Sequence, residues 1–376
     1  MLEVADIFRL HGAVYRARFG DRLRLAQKRA MRDIEACRTA FFGGHLNQCD
    51  RCGHKLYVYH SCRNRHCPKC HHQQTERWLE KQRARLLPCY YSLLTFTLPS
   101  ELRPLARAHP KKLYGLLMSC AAAAVQKLCR DPRWLGAGIG CLAVLHTWTR
   151  GALWALLYHP HVHLLVTAGG LSADGSRWIQ TKNPKYLAPV EALSVIFRAK
   201  LCAALKKAQL LDQAPPQVWK KDWKKDWVVH CQPAGRGDKV LDYLGRYVFR
   251  IAITNSRLEQ MDNGQVTFRY RENRTQKLRR VTLAAHDFIG RFLQHVLPRG
   301  STKVRYYGIW SNSCRRQREQ ARALLTTPLA TVSDPPAPLQ GLPQPAPTAP
   351  APARCPHCRL GQLMVIEVLL PQSRSP

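Results

Sequence analysis

Acidic side chains are scarce in this sequence. Asp and Glu together number 24 against 59 Lys and Arg in 376 residues, a formal charge of +35, and the excess runs along the whole chain rather than sitting in a tail. A field of that size draws a polyanion, of which nucleic acid is the commonest; the bland alternative is a solubilising, ribosome-like basic surface. Long apolar runs are missing as well. None reaches the ~18 to 20 residues that a bilayer span needs, residues 1–6 (Met-Leu-Glu-Val-Ala-Asp) lack the charged-then-apolar layout of a secretion signal, and no basic amphipathic helix suited to a membrane surface stands out. The expectation is an intracellular, cytoplasmic protein that binds DNA and no membrane. In a reducing compartment, fifteen cysteines point to zinc rather than to disulfides.

Hydrophobic periodicity divides the chain. Residues 4 to 42 place Val4, Ile7, Phe8 and Val14, and later Ile34 and Cys37, at helical spacing among many arginines. Residues 45–75 are dense in Cys and His, and a basic helix is predicted from Gln74 to Leu87. Tyr90 to Leu98 alternates, is rich in β-branched and aromatic residues, and stops at Pro99, which predicts a strand. A long helix is predicted over 104–130, strands over Gly140–Trp148 and Val162–Thr167, a turn at Ser172–Gly175, a helix from Pro189 to about Leu210, and a strand over Trp227–Cys231. Asp238 is placed to cap a helix that runs through Tyr243 and Tyr247. A hairpin of Val266–Tyr270 with Arg280–Leu283 and a helix over Asp287–Val296 follow. The repeated Lys-Lys-Asp-Trp at 220–227 reads as a duplicated loop unit. Between Thr326 and Ala353 Pro and Ala dominate, a composition that favours an extended linker. The predicted class is α+β: a basic helical and zinc-binding module over 1–87 with its cluster at 45–75, a sheet domain over 88–325 with a central antiparallel sheet and flanking helices, a linker over 326–354, and a tail over 355–376.

Cys49-Asp-Arg-Cys52 and Cys67-Pro-Lys-Cys70 are two knuckles at zinc-ribbon separation. Each can aim two thiolates at one point, so together they predict one tetrahedral structural Zn²⁺ site. Cys37, His60, Cys62 and His66 are surplus; they could replace a ligand or form a second site. Arg51, Lys55, Arg63, Arg65 and Lys69 surround the cluster and predict a basic platform against DNA. Cys355 and Cys358 are half a site, which joins another pair or binds nothing.

In Tyr-His-Pro-His-Val-His-Leu-Leu-Val (158–166), His161 and His163 lie two apart on a predicted strand and so share a face. A lone His-x-His is more often a satisfied core or surface pair than a metal site, so partners decide. His146, at the end of the preceding strand, is the candidate third ligand, with a buried hydrogen-bonded histidine as the competing reading. Such a set with open positions takes Mg²⁺, Mn²⁺ or another divalent ion. Tyr243 and Tyr247, four apart, share a helix face with Arg250 close by. A phenol attacks phosphorus when a metal polarises the phosphate and a cation meets the developing charge. Tyr pairs at this spacing are usually ordinary packing; beside a His pair, a zinc cluster and +35 they read as nucleophiles.

These residues resemble a known family. His161-Val-His163 followed by Tyr243-x-x-x-Tyr247 is similar to the HUH endonucleases, and Cys49-x-x-Cys52 through His66-Cys-Pro-Lys-Cys70 resembles the zinc-binding start of rolling-circle, two-tyrosine transposases of the insertion sequence ninety-one type. The likeness continues through Leu145-His-Thr-Trp148, Val266-Thr-Phe-Arg-Tyr270, Phe288-Ile-Gly-Arg-Phe292 and Arg305-Tyr-Tyr-Gly308, and covers roughly residues 30 to 325. It implies a zinc module before a palm-like sheet, and nicking of single-stranded DNA through a 5′-phosphotyrosine with a free 3′-OH. In the same way it implies metal ligation by His161 and His163, nucleophilic roles for Tyr247 first and Tyr243 second, and a bacterial, nucleoid-associated protein with the host replication machinery as a candidate partner. The chain departs from the family pattern at 149–158 and at 220–227. The rival readings are a plasmid replication initiator or relaxase with the same chemistry, and a non-catalytic zinc-ribbon DNA-binding protein.

Overall fold

A computed structural model describes residues 2–148, 156–183, 187–219, 227–236, 253–272, 275, 277–326 and 353–372. In chain order the elements are α1 (Val4–Phe19), α2 (Leu25–Glu35), β1 (Gly44–Cys49), β2 (Lys55–Tyr59), α3 (His71–Arg83), β3 (Tyr90–Thr97), α4 (Arg103–Ala108), α5 (Pro110–Arg130), β4 (Gly140–Trp148) and β5 (Tyr158–Thr167). They continue with β6 (Gly169–Leu171), β7 (Trp178–Gln180), α6 (Val190–Lys207), β8 (Val229–Arg236), β9 (Leu258–Asp262), β10 (Gln265–Arg271), β11 (Leu278–Ala284), α7 (Ala285–Leu293), β12 (Val304–Gly308), α8 (Arg315–Thr326) and β13 (Leu363–Leu369). The class is mixed α and β with antiparallel sheets, as the sequence predicts.

The largest sheet has the order β12-β4-β5-β3-β8, with every neighbouring pair antiparallel. β4 is buried along its whole length, which its unbroken apolar run requires of an inner strand. One face of the sheet presents Ala143, Leu145, Val162, Leu164 and Val166 to Leu117, Ala121 and Val125 of α5 and to Phe197 and Leu201 of α6. Those helix positions recur every fourth residue, so each helix lays a single apolar stripe on the sheet. The helix predicted over 104–130 is instead two, because Pro110 begins a new helix where its missing N–H costs nothing. The opposite face carries Leu142, Val144 and Leu165 beneath Ile309, Trp310 and, from α8, Ala321, and towards the Trp148–Tyr158 end of the two strands it carries histidines.

A second sheet, β11-β10-β9, turns Val266, Phe268 and Tyr270 inward at period two. Their partners are the N-terminal helices: Phe8, Ile34 and Met31 join Phe288, Ile289 and Phe292 of α7 in one core. Phe8 meets Phe292 edge to face at 5.3 Å between ring centroids. Residues 4–37 and 253–296 thus bury their apolar faces in each other. The third sheet has the order β13-β1-β2. Its outer strand β13 belongs to the segment predicted to be a separate tail, and it pairs antiparallel with all of β1 from Gly44↔Leu369 to Cys49↔Leu363.

Candidate metal centres

The sheet register brings three imidazoles together. His146 on β4 is the direct cross-strand partner of His161 on β5, and His163 pairs with Val144, one step along the same face. Ring centroids lie 5.2 Å apart for His146 and His161, 4.6 Å for His146 and His163, and 4.9 Å for His161 and His163. One ring nitrogen from each falls within 4.8 Å of the others. His161 Nδ1 donates to the carbonyl of His159 at 2.8 Å, which leaves its Nε2 as the lone pair that can bind a cation. His163 Nδ1 sits 3.0 Å from Thr95 Oγ1 on β3, so the same tautomer is available there. The donor set thus fits a divalent ion. His159, next along β5, accepts from Arg103 through its Nδ1 at 2.6 Å; burial, with the charges of His161 and Arg103 behind it, holds it down to about 4, and it is a flank rather than a member of the group.

Beside the His face, a cavity of about 330 Å³ opens between the zinc-binding segment and the edge of the sheet, lined by Arg65, Trp78, Trp148, His295 and Lys303 among others. Trp148 stacks on His146 at 4.8 Å, and Lys303 Nζ lies 5.0 Å from the centre of its ring. Burial, and then the Arg65 charge, pulls Lys303 down to about 7. Neither Lys303 nor Thr95 was singled out from sequence. Thr95 did leave a signal: Thr95 and Thr97 are polar at period two in the second half of β3, on the face that meets His163 and His161.

The cysteines form two clusters, not one. Cys37, Cys62, Cys67 and Cys70 converge in the first, and Cys49, Cys52, Cys355 and Cys358 in the second. The single site of Cys49, Cys52, Cys67 and Cys70 is therefore corrected. Cys49 and Cys52 stand at the tip of the β1–β2 hairpin, whereas Cys67 and Cys70 fold back onto Cys37 at the end of α2. In the first cluster Sγ separations are 3.5 Å for Cys37–Cys70, 3.5 Å for Cys62–Cys70 and 3.7 Å for Cys37–Cys67. A tetrahedron of thiolates around Zn²⁺ has edges of about 3.8 Å, and all fifteen cysteines are free thiols. Hydrogen bonds from Cys62 and Cys67 bring Cys37 down to about 7, while those to Cys37 push Cys62 and Cys67 up. Four such neighbours cannot all be thiolates without a cation among them.

The surplus histidines have other work. His66 Nε2 accepts from the backbone N–H of Leu297 at 3.0 Å, which fastens the cluster to the segment after α7, and His60 meets His45 at 3.1 Å between Nε2 atoms. The basic residues predicted to face DNA, Arg51, Lys55, Arg63, Arg65 and Lys69, are all exposed. Arg65 also donates to the carbonyls of Leu297, Pro298 and Ser301, and Lys69 is paired with Glu3 at 2.9 Å; both therefore also fasten the joint between segments. Tyr243, Tyr247 and Arg250 lie outside the described residues, as do residues 149–155 and 220–226 of the departures at 149–158 and 220–227. No described helix is long and apolar enough to cross a membrane.

Comparison with known proteins accords with this arrangement. A family model described as a transposase zinc-binding domain matches residues 7–98, and one described as a putative transposase matches residues 140–318. The first spans all four ligands of the Cys37 cluster, and the second spans the three histidines. A putative transposase from Sinorhizobium fredii is 40% identical over 97% of this chain and 95% of its own length. The transposase for insertion sequence element IS801 from Pseudomonas savastanoi pv. phaseolicola is 30% identical over 77% of this chain and 73% of its own. The chain belongs to the transposases of the insertion sequence ninety-one type. DNA is therefore the partner of this transposase, DNA cleavage and strand transfer are its activity, and its N-terminal region is a zinc-binding domain. No solved structure matches it.

Proposed function

We propose that this transposase nicks and rejoins single-stranded DNA through a 5′-phosphotyrosine, driving rolling-circle transposition, with His146, His161 and His163 holding a divalent ion against the scissile phosphate. The convergence of those three imidazoles on one face of the central antiparallel sheet carries the reading, since the HUH resemblance implies a His pair on a central strand of a palm-like sheet. When bound, such an ion draws charge from the phosphate oxygens and makes phosphorus a better electrophile. Three imidazoles, with no carboxylate in the group among the described residues, favour Mn²⁺ over the harder Mg²⁺.

In this scheme Tyr247 attacks phosphorus, its phenolic O–P bond forms as the bond to the 3′ oxygen breaks, and the phenolic proton is lost while the 3′ oxygen leaves as a hydroxyl. Arg250 neutralises charge that gathers on the phosphate. Tyr243 holds or cuts a second strand, which permits transfer between donor and target. Arg51 and Arg63 meet the backbone of the element end, and the exposed 3′-OH would be offered to the host replication machinery. The relatives favour this outcome over a replication initiator with the same chemistry, because both are transposases by name.

The test uses a 3′-labelled single-stranded oligonucleotide from the flank of the element, incubated with the full chain and Mn²⁺. A denaturing gel is expected to show a covalent protein–DNA band that Tyr247→Phe abolishes. An adduct that persists in Tyr247→Phe and vanishes in Tyr243→Phe reverses the order of the tyrosines. No adduct with Mn²⁺, nor with Mg²⁺ in its place, removes the mechanism and leaves a DNA-binding protein.

A further inference from the structure

We infer that Cys49, Cys52, Cys355 and Cys358 hold a second structural zinc ion, which clasps the C-terminal hairpin to the N-terminal sheet and completes a zinc ribbon from two ends of the chain. The zinc-binding family model stops at residue 98, so half of this ligand set lies beyond what it covers.

Four observations carry the inference. The Sγ atoms of Cys49 and Cys358 are 3.7 Å apart and those of Cys52 and Cys355 3.8 Å, about the edge of a ZnS₄ tetrahedron and far from the ~2 Å of a disulfide. The two Cys-x-x-Cys turns are built alike. Gly53 N–H donates to the Cys49 carbonyl at 3.1 Å and Arg359 N–H to the Cys355 carbonyl at 3.0 Å, and Cys49 N–H and Cys355 N–H donate to the carbonyls of His54 and Gly361. The residue after each second cysteine is left-handed, Gly53 at φ +69° and Arg359 at φ +61°. For arginine that conformation is unfavourable, a cost that a ligand-closing turn accounts for and an idle tail does not.

The third observation is the fit around the sulfurs. Gly361 N–H donates to Cys358 Sγ at 3.4 Å, a bond that favours thiolate, and a Cβ at Gly361 would strike both Cys49 Sγ and Asp50 Oδ1. Asp50 ties the two knuckles directly: its Oδ1 accepts from Gln362 N–H at 2.8 Å, and its own N–H donates to the Gln362 carbonyl at 3.1 Å. The fourth is the sheet below. Two knuckles at one end of a three-stranded antiparallel sheet, β13-β1-β2, are the architecture of a zinc ribbon, here with residues 60 to 352 inserted between its second and third strands.

The test counts metal and follows the C-terminal fragment. Native mass spectrometry of the full chain is expected to find two zinc ions, and one in the Cys355→Ser/Cys358→Ser variant. A site for a specific protease is placed within 335–345. After cleavage of the otherwise wild-type chain, the C-terminal fragment is expected to co-elute with the body in gel filtration, and to separate from it in the cleaved Cys358→Ser protein. A single zinc in the full chain overturns the inference. So does a count of two that survives the double substitution, or a fragment that stays attached once its ion is gone, since strand pairing alone would then hold it. The cleaved wild-type chain gives a readout even where the double variant fails to fold.

Discussion

Thr95 on β3 holds its Oγ1 3.0 Å from Nδ1 of His163 on β5. With a cation on Nε2, His163 Nδ1 must carry the proton and donate it to Thr95, so the hydroxyl fixes both the tautomer and the ring. Thr95→Val keeps the shape and removes the acceptor. Such outer partners typically account for ten- to a hundredfold in metal affinity, and we expect Mn²⁺ binding by titration calorimetry to weaken by about that factor with zinc content unchanged. Unaltered Mn²⁺ affinity would mean that Thr95 does not position the ligand.

His295 gives the stability a pH dependence. It is buried beneath the β4–β5 end of the sheet, where its Nε2 donates to the Leu156 carbonyl at 3.0 Å and its Nδ1 meets Thr147 Oγ1 at 3.1 Å. Burial above all holds it at about 4 in the folded chain against an ordinary 6.5. Between those values the unfolded chain takes up a proton that the folded chain refuses, so stability is complete above 6.5 and drains away as the pH falls towards 4. The loss is about 3 kcal/mol for a displacement from 6.5 to about 4. Urea midpoints measured from about pH 7.5 down to about pH 4.5 should fall steeply in the wild type and less steeply in His295→Gln; parallel slopes would refute the assignment.

Phe292 ties the N-terminal helices to the second sheet. Its ring is buried and packs edge to face on Phe8 at 5.3 Å. Phe292→Ala should cost about 3 to 5 kcal/mol. Because the two rings share one contact, the Phe8→Ala/Phe292→Ala double variant should cost less than the two single losses added together, by about 0.5 to 1.5 kcal/mol. Full additivity in denaturant unfolding would show that the rings sit in separate cores.

The parts legible in the sequence were those with a local rule. β3 and β4 follow from alternation and apolar continuity, the β10–β11 hairpin from its two runs, and the His face from period two along β5 plus one antiparallel neighbour. What the sequence left open were partners. Cys-x-x-Cys spacing builds a knuckle but carries no label for the knuckle opposite, so Cys49 and Cys52 read as well with Cys67 and Cys70 as with Cys355 and Cys358. The alternating face of β10 announced a buried side without naming α1 and α2 as its cover. Arg65 and Lys69 show the same limit: their intramolecular partners, three carbonyls and Glu3, have no signature in the local sequence.

The pairing of β1 with β13 also bears on how the chain is made. Cys49 and Cys358, which meet at the end of that pairing, are 309 residues apart in sequence, so β1 leaves the ribosome long before its outer neighbour exists. Until then one edge of β1 offers unpaired backbone groups to any passing strand. Contacts of such long range close slowly, and a product truncated before Leu363 would keep that edge open for good. Residues 363–369 therefore protect the sheet: by pairing with β1 they cover an edge that would otherwise be open to another strand.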